Sequence, residues 1–299
     1  MTNLSKSMRS KLAHESKIAI VNPIAEIKSS DEHTIKTLFA LPDGKQIEAV
    51  LMKYDKRRTI CISTQVGCAM ACPFCATGHT GFERNLSVGE IVDQVLYYSR
   101  LLAKHNEVVT NVVFMGMGEP FANYVNTWQA IRHLNDSQGF DLGARKMTIS
   151  TVGLVPAIRR MSHEPEQVGL AVSIHAPIDA IRDTIVPVNK RYPLNILMNA
   201  CRDYIEMTNR RVTFEYVLMD GVNDNDEHAD QLAQLLKGLL CHVNLIPLNP
   251  ASASLFRRAS AERVYAFRDR LQQANIPTTI RLPRGVDIQA GCGQLRAQN

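Results

Sequence analysis

Four of the chain's seven cysteines fall within fifteen positions, in CISTQVGCAMACPFC at residues 61–75. The last three, Cys68, Cys72 and Cys75, are spaced C-x3-C-x2-C, and Cys61 stands seven residues upstream. Three thiolates on one short loop can hold three irons of a [4Fe-4S] cluster and leave the fourth open to a substrate or cofactor. A structural zinc would want a fourth protein ligand, and no second C-x2-C pair supplies it; Cys61 and His79 are the remaining candidates. Cys292 lies between two glycines in AGCGQL, which suggests a mobile segment able to carry its thiol between positions. Cys201 and Cys241 match no motif and read as small buried residues.

These groups need a frame to position them. Six stretches read as strands: 58–64 (RTICIST), 111–115 (NVVFM), 146–151 (KMTIST), 169–175 (GLAVSIH), 211–218 (RVTFEYVL) and 242–248 (HVNLIPL). Helix-like stretches separate them. The clearest is SVGEIVDQVLYYSRLL, where Ser87 and Glu90 make a capping box and Val88, Ile91, Val92, Val95, Leu96 and Leu102 form an apolar stripe. Six strand-then-helix units argue for an α/β fold with a parallel sheet closed, or nearly closed, into a partial (βα)6 TIM-like barrel with short amino- and carboxyl-terminal extensions.

In such a barrel, chemistry belongs at the carboxyl ends of the strands. The cysteine run follows the first strand, GMGEP at 116–120 follows the second, Ser150 ends the third, His175 the fourth, and LNP at 248–250 the sixth. Alternation adds orientation. Ile60 and Ile62 are expected to pack outward with Cys61 turned into the lumen beside Thr59 and Ser63. Ser173 and His175 are likewise expected inside, and Val172 and Ile174 outside.

The 299 residues, 45% of them hydrophobic, can bury an ample core without disulfides. No signal-peptide core and no run of ~18 apolar residues is present, so a cytoplasmic protein with no membrane association is expected. The cysteines then read as thiols, ligands or catalytic groups. Charge is uneven: residues 1–58 hold 11 basic against 7 acidic residues, residues 252–299 hold 8 against 3, and the middle 15 against 19. Lys53, Lys56, Arg57, Arg58, Arg281 and Arg284 could meet phosphates.

The cysteine spacing after a first strand resembles the radical S-adenosylmethionine (SAM) superfamily. The longer run TQVGCAMACPFCATGHTGFERNLSVGEIVDQV, followed in order by GMGEP, SIHAP, DGVND, NLIPLNP and RGVDIQAGCGQL, is similar to its RNA adenine methyltransferases of the RlmN and Cfr type, over residues 40–299. That resemblance implies a cluster held by Cys68, Cys72 and Cys75, with SAM chelating the open iron. It implies SAM contacts from Gly118, Glu119, Ser150, Ser173, Ile174, His175 and Asn249, and two SAM per turnover. Cys292 would take a methyl group from the first. The second would be cleaved to a 5′-deoxyadenosyl radical that removes a hydrogen from that methyl, and the resulting carbon radical would add to adenine. Such a relay suits adenine carbon 2, which is electron-poor and offers no nucleophile. Cys61 would then form a disulfide with Cys292 as product leaves, and Glu48, twenty residues before Cys68, would accept the proton.

The same resemblance implies an RNA substrate, adenosine in large-subunit ribosomal RNA first and transfer RNA second, and a cellular electron donor such as a flavodoxin. Relatives that methylate carbon 8 share these motifs; the wording of GCAMACPFCATG favours carbon 2. Residues 1–40 are expected to be a remnant of an amino-terminal RNA-binding helical domain, and 41–299 the barrel with its catalytic carboxyl-terminal segment. A monomer is expected. Two other readings stay open at this point: a radical SAM enzyme with a non-RNA substrate, which has no use for Cys61 and Cys292, and a non-catalytic RNA-binding protein with structural zinc.

Overall fold

The period-two alternation of the central strands sets the architecture. Ile60, Val112, Phe114, Ile149, Leu170, Val172, Phe214 and Val243 are essentially inaccessible and pack outward under the helices. Between them Thr59, Val113, Thr148, Ala171, Thr213 and His242 face the lumen. The computed structural model describes residues 4–15, 19–249, 255–281 and 284–297.

In chain order come helix α1 (Lys6–Glu15), strands β1 (Asn22–Lys28), β2 (Thr34–Ala40), β3 (Gln46–Lys53) and β4 (Arg58–Cys61), and a hairpin of β5 (Gln65–Gly67) and β6 (Phe82–Asn85) enclosing the one-turn helix α2 (Ala76–His79). There follow α3 (Val88–Ala103), β7 (Asn111–Phe114), α4 (Tyr124–Asn135), β8 (Met147–Thr151), α5 (Val155–Met161), β9 (Gly169–Ser173), α6 (Asp179–Ile185) and α7 (Leu194–Thr208). The chain finishes with β10 (Val212–Leu218), α8 (Asp226–Leu236), β11 (Cys241–Pro247), α9 (Ala261–Gln273) and β12 (Thr278–Ile280). One sheet runs in the order β1-β2-β3-β4-β7-β8-β9-β10-β11-β12. From β4 onward neighbours are parallel; β1 to β4 pair antiparallel.

The partial barrel inferred from the sequence is thus present, with differences at its edges. The ladder is linear, with β12 and β1 at its two ends. The space between is crossed by the carboxyl-terminal segment, where Asp287 accepts from the Ser30 amide (2.8 Å) and Gln289 O from Lys36 Nζ (3.4 Å). Because β2 is fully paired with β3, a division at residue 40 falls between two hydrogen-bonded strands. RTICIST leaves the sheet after Cys61: Ile62 still donates to Val113 O (3.0 Å), but the Ser63 amide turns to Gln94 Oε1 on α3 (2.9 Å). GLAVSIH ends as a strand at Ser173, because His175 takes φ +56°, a left-handed conformation that breaks extended pairing.

The helix expected at SVGEIVDQVLYYSRLL is α3, and its capping box is complete: the Ser87 amide donates to Glu90 Oε2 (2.8 Å) and the Glu90 amide to Ser87 Oγ (3.3 Å). Of the polar residues on its buried face, Asp93 accepts through Oδ2 from the amides of Ile20 and Val21, and Gln94 exchanges hydrogen bonds with the Ser63 backbone. Among the described residues, no helix is long and apolar enough to cross a membrane.

Candidate active site

Cys68, Cys72 and Cys75 lie on the loop between β5 and α2, and all three line a cavity of about 150 Å³ at the carboxyl ends of the parallel strands. Gly118, Glu119, Ser150, Ser173, His175 and Asn249 line the same cavity. Pro250 of the LNP turn lies outside the described residues. Burial pushes the Cys68 thiol up to about 12, Cys72 well above its ordinary range and Cys75 upward, with mutual repulsion of the three adding to the effect at Cys72. Thiols in this setting ionise only with a cationic partner such as a metal. Among the described residues no group of three or more His, Cys, Asp or Glu side chains is arranged to hold a metal ion. His79 is exposed and bonded to Pro73 O (2.9 Å), so it supplies no fourth ligand. The donor set therefore fits a cluster of several irons spread between three sulfurs better than one zinc.

The loop after β7 supplies the opposite wall. Gly118 has φ +97°, and a Cβ there would stand 2.5 Å from Gln65 Cβ, so only glycine fits. Gln65 Oε1 accepts from the Glu119 amide (2.9 Å), and the Glu119 carboxylate accepts from the amides of Phe121 (3.0 Å) and Val152 (2.9 Å). Burial raises Glu119 to about 7 despite those two donors.

The sign of that shift gives a stability prediction. A carboxyl whose folded value lies above its unfolded 4.5 favours the fold while protonated, and the favour is lost as pH rises through about 7. Glu119→Gln removes the titration. Its stability relative to the parent chain, both free of ligand, is expected to rise by about 3 kcal/mol from pH 4 to pH 8. Chemical denaturation at the two pH values measures this, and a difference that does not change with pH contradicts the assignment.

Other expected contacts are placed unevenly. Ser150 and Ser173 end adjacent strands with hydroxyls 3.5 Å apart. His175 Nδ1 accepts from the Val217 amide (3.1 Å), and its ring meets the edge of Phe74 at 5.0 Å between centroids. Burial first, then the Arg182 charge, pushes His175 down to about 3, so it is a neutral imidazole with its proton on Nε2. Asn249 Oδ1 is buried and, among the described residues, has no hydrogen-bond partner, so it is free to bond a polar ligand. Ile174 is inaccessible, belongs to the outer core and does not line the cavity; its carbonyl accepts from Arg182 Nε (2.9 Å).

Cys61 and Cys292 meet where alternation aimed Cys61. Both line a smaller cavity of about 80 Å³ together with Cys75 and Arg281, and Cys75 is shared with the larger one. Burial first, then the neighbouring Cys292, pushes Cys61 up to about 12, and Arg281 opposes the rise. Arg281 itself is held upward foremost by Cys292. Its charge therefore serves the two thiols, where the sequence suggested only a phosphate contact.

The glycines flanking Cys292 each have a structural reason, close packing at Gly291 and a left-handed φ of +82° at Gly293. A Cβ on Gly291 would stand 2.6 Å from Asn249 Nδ2, and Gly293 O accepts from the Ala76 amide (2.7 Å) at the start of α2. The segment bearing Cys292 is docked on the loop that bears the three cysteines.

Glu48 departs furthest from expectation. It is buried, paired with Lys36 (2.9 Å), and accepts from the amides of Arg296 (2.9 Å) and Ala297 (3.3 Å). It does not line the cavity of Cys61 and Cys292. In this state its carboxylate holds the backbone just beyond Cys292, which strand alternation alone could not indicate.

Two buried charges escaped the sequence reading. Arg182 donates to Ile174 O, Val152 O, Ser173 O and Asn189 Oδ1, tying together strand ends that wall the cavity. Glu215 lines the cavity with one carboxylate oxygen unpartnered among the described residues. Of the basic residues, Lys53 and Arg58 pair with Glu107, while Arg57 and Arg284 both stack on the Tyr54 ring.

Comparison with known proteins finds the family model of the radical SAM superfamily over residues 62–233. A probable dual-specificity RNA methyltransferase RlmN of Chloroflexus aurantiacus is 49% identical over 310 residues, covering 100% of this chain and 82% of the relative. The dual-specificity RNA methyltransferase RlmN 1 of Myxococcus xanthus is 51% identical over 269 residues, covering 90% of this chain and 75% of the relative. Among solved structures, a radical SAM methyltransferase from Sphaerobacter thermophilus superimposes with a TM-score of 0.96 at 53% identity, covering 99% of this chain and 87% of that one.

Proposed function

The chain belongs to the radical SAM superfamily and, within it, to the RlmN family of RNA methyltransferases, and from that premise we propose that it methylates carbon 2 of adenosine in large-subunit ribosomal RNA, and in transfer RNA, through a methyl group carried on Cys292. The observation that carries this reading is the meeting of Cys61 and Cys292, 231 positions apart, in one cavity that shares Cys75 with the larger one. A radical SAM enzyme without a thiol relay has no use for that pair.

Cys68, Cys72 and Cys75 would hold the [4Fe-4S] cluster, which when bound supplies the electron for reductive cleavage of SAM. Glu119, fixed by the amides of Phe121 and Val152, would receive the amino group of SAM. Ser150, Ser173, neutral His175 and the unpartnered Asn249 Oδ1 would bind its remaining polar groups. Cys292, opposite Arg281, attacks the methyl of a first SAM: a sulfur–carbon bond forms, the sulfonium–methyl bond breaks, and the thiol proton is released. Addition of that carbon to adenine leaves an adduct radical that still bears the carbon-2 hydrogen; one electron would return to the oxidised cluster, a base would accept the proton, and Cys61 then attacks the Cys292 sulfur. The disulfide forms, the old carbon–sulfur bond breaks, and its electron pair stays on the carbon and takes up a proton. A cellular dithiol must then reduce the disulfide.

We place the enzyme in the cytoplasm as a monomer served by an electron donor such as a flavodoxin. The basic residues near the amino end, including those of residues 1–40, would add to RNA affinity. Peptide mass spectrometry of anaerobically purified chain, cluster rebuilt and SAM added, is expected to find one methyl group on Cys292. An unmodified Cys292 in protein that still cleaves SAM would sink the relay.

A further inference from the structure

The barrel has a second opening. A cavity of about 590 Å³ occupies the lumen at the amino ends of the parallel strands, the end away from the three cysteines. Its walls are residues of eight strands, many of them small or neutral and polar, such as Thr59, Thr148, Ala171, Thr213, Asn244 and Thr279, with Glu215 and Arg281 where it nears the thiols. At its mouth stand Arg57, Arg211 and Arg284, with Tyr54 carrying the guanidinium of Arg284 at 4.4 Å and of Arg57 at 5.0 Å from its ring centre. Among the described residues none of these three arginines has a carboxylate within ion-pair distance, although Lys53 and Arg58 nearby both do.

The lumen leads to the thiols. It shares Met52, Tyr54, Met115, Arg281 and Arg284 with the cavity of Cys61 and Cys292, and Glu215 with the cavity of the three cysteines. The carboxyl-end side is occupied by the cysteine loop and by the docked segment bearing Cys292, held through Ala76. A base stacked inside RNA cannot reach a carbon on Cys292, so its nucleotide must be drawn out of the stack. Unpaired arginines beside an aromatic ring suit phosphates flanking a bend and a stacked base, and the threonine and asparagine side chains of the walls can bond base edges.

We infer that the lumen is the RNA entry path, in which the target adenosine passes through the amino end of the barrel to Cys292 while Arg57, Arg211 and Arg284 hold its flanking phosphates. This rests on the RNA methyltransferase reading and deepens it by naming the face of the barrel that RNA meets.

The test uses the full chain and a labelled RNA hairpin with an unpaired adenosine in its loop, followed by fluorescence anisotropy over a range of KCl concentrations. Arg57→Gln and Arg211→Gln are each expected to weaken binding about three- to tenfold and to lower the slope of log affinity against log salt by about 0.7. Arg159→Gln, on the outer helix α5 and paired with Asp203, is expected to bind as the parent chain does. Thr213→Trp fills the lumen and is expected to cut RNA methylation by more than ~10-fold in protein that still loads methyl onto Cys292. If Arg57→Gln and Arg211→Gln bind like Arg159→Gln, or if Thr213→Trp methylates RNA at the parent rate, the lumen is only a water channel and the inference is overturned. Failure of the parent chain to load Cys292 strikes the relay instead, since RNA binding reads the lumen without it.

Discussion

Cys61→Ala is expected to stop the enzyme after a single encounter, with RNA covalently bound to Cys292 and almost no free methylated product. Cys61 sits on β4 between Val50 of β3 and Val113 of β7, so its thiol is fixed by a strand with partners on both sides. It is buried in the same cavity as Cys292, and no other cysteine outside the three of the cluster loop lines that cavity. Alanine there leaves methyl loading of Cys292 and carbon–carbon bond formation untouched, because neither step needs a second thiol. It removes the neighbouring thiol, outside the cluster loop, that can take Cys292 away from the bridging carbon. Cys292→Ala should behave differently: with no carrier the relay cannot start, and RNA methylation falls by ~10⁴-fold or more, the scale seen when a nucleophile is removed. Denaturing electrophoresis with labelled RNA separates the outcomes. A slow-migrating RNA–protein band is expected for Cys61→Ala and none for Cys292→Ala. Free methylated RNA from Cys61→Ala at parent levels would remove Cys61 from the reaction.

How much of this was legible in the sequence depends on how local each signal is. The three cysteines and the capping box of α3 are set by short spacings, and both appear where the spacing puts them. The inward turn of Cys61 and Ser173 follows from alternation within one strand, which needs no knowledge of the partner strands. The same rule loses its physical basis at His175, where φ +56° ends the extended chain, yet the ring still reaches the cavity because Phe74 and the Val217 amide hold it there. Ile174 shows the limit of carrying a role by position alone, since its side chain belongs to the outer core. The residues the sequence could not reveal are those whose meaning comes from distant segments. Glu48 reads as one acidic residue in a strand, and only the fold brings the backbone of Arg296 and Ala297 onto it. Arg281 reads as one more basic residue until the fold sets it beside two thiols 220 and 11 positions away. Among the strands that lie outside the six stretches read from the sequence, β1 is exposed along its whole length and so lacks apolar alternation, and β5 and β12 span three residues each.

Arg182→Met is expected to destabilise the chain by about 3–5 kcal/mol, the largest loss from any single substitution considered for this protein. In DAIRDTI the residue looks like an ordinary helix arginine, yet its accessibility is zero and its guanidinium is spent on four acceptors. Nε meets Ile174 O at 2.9 Å, Nη1 meets Asn189 Oδ1 at 2.7 Å, and Nη2 meets Val152 O at 2.7 Å and Ser173 O at 3.2 Å. Burial lowers Arg182 to about 10, so it remains charged at neutral pH, with Cys72 and then Asp179 pulling the other way. Methionine has a similar length and no donor, so it leaves buried carbonyls at the ends of β8 and β9 without partners, each costing about 1–3 kcal/mol if water cannot reach it. Val152 and Ser173 also line the cavity, so a loss of order there should weaken SAM binding together with the fold. Arg182→Lys keeps the charge and gives up the planar fork, and a loss between the two extremes is expected. Urea unfolding of the three proteins, with SAM binding measured in parallel, distinguishes the possibilities. Should the methionine variant unfold within about 1 kcal/mol of the parent, the carbonyls it exposes have found water, and Arg182 is not what joins the strand ends.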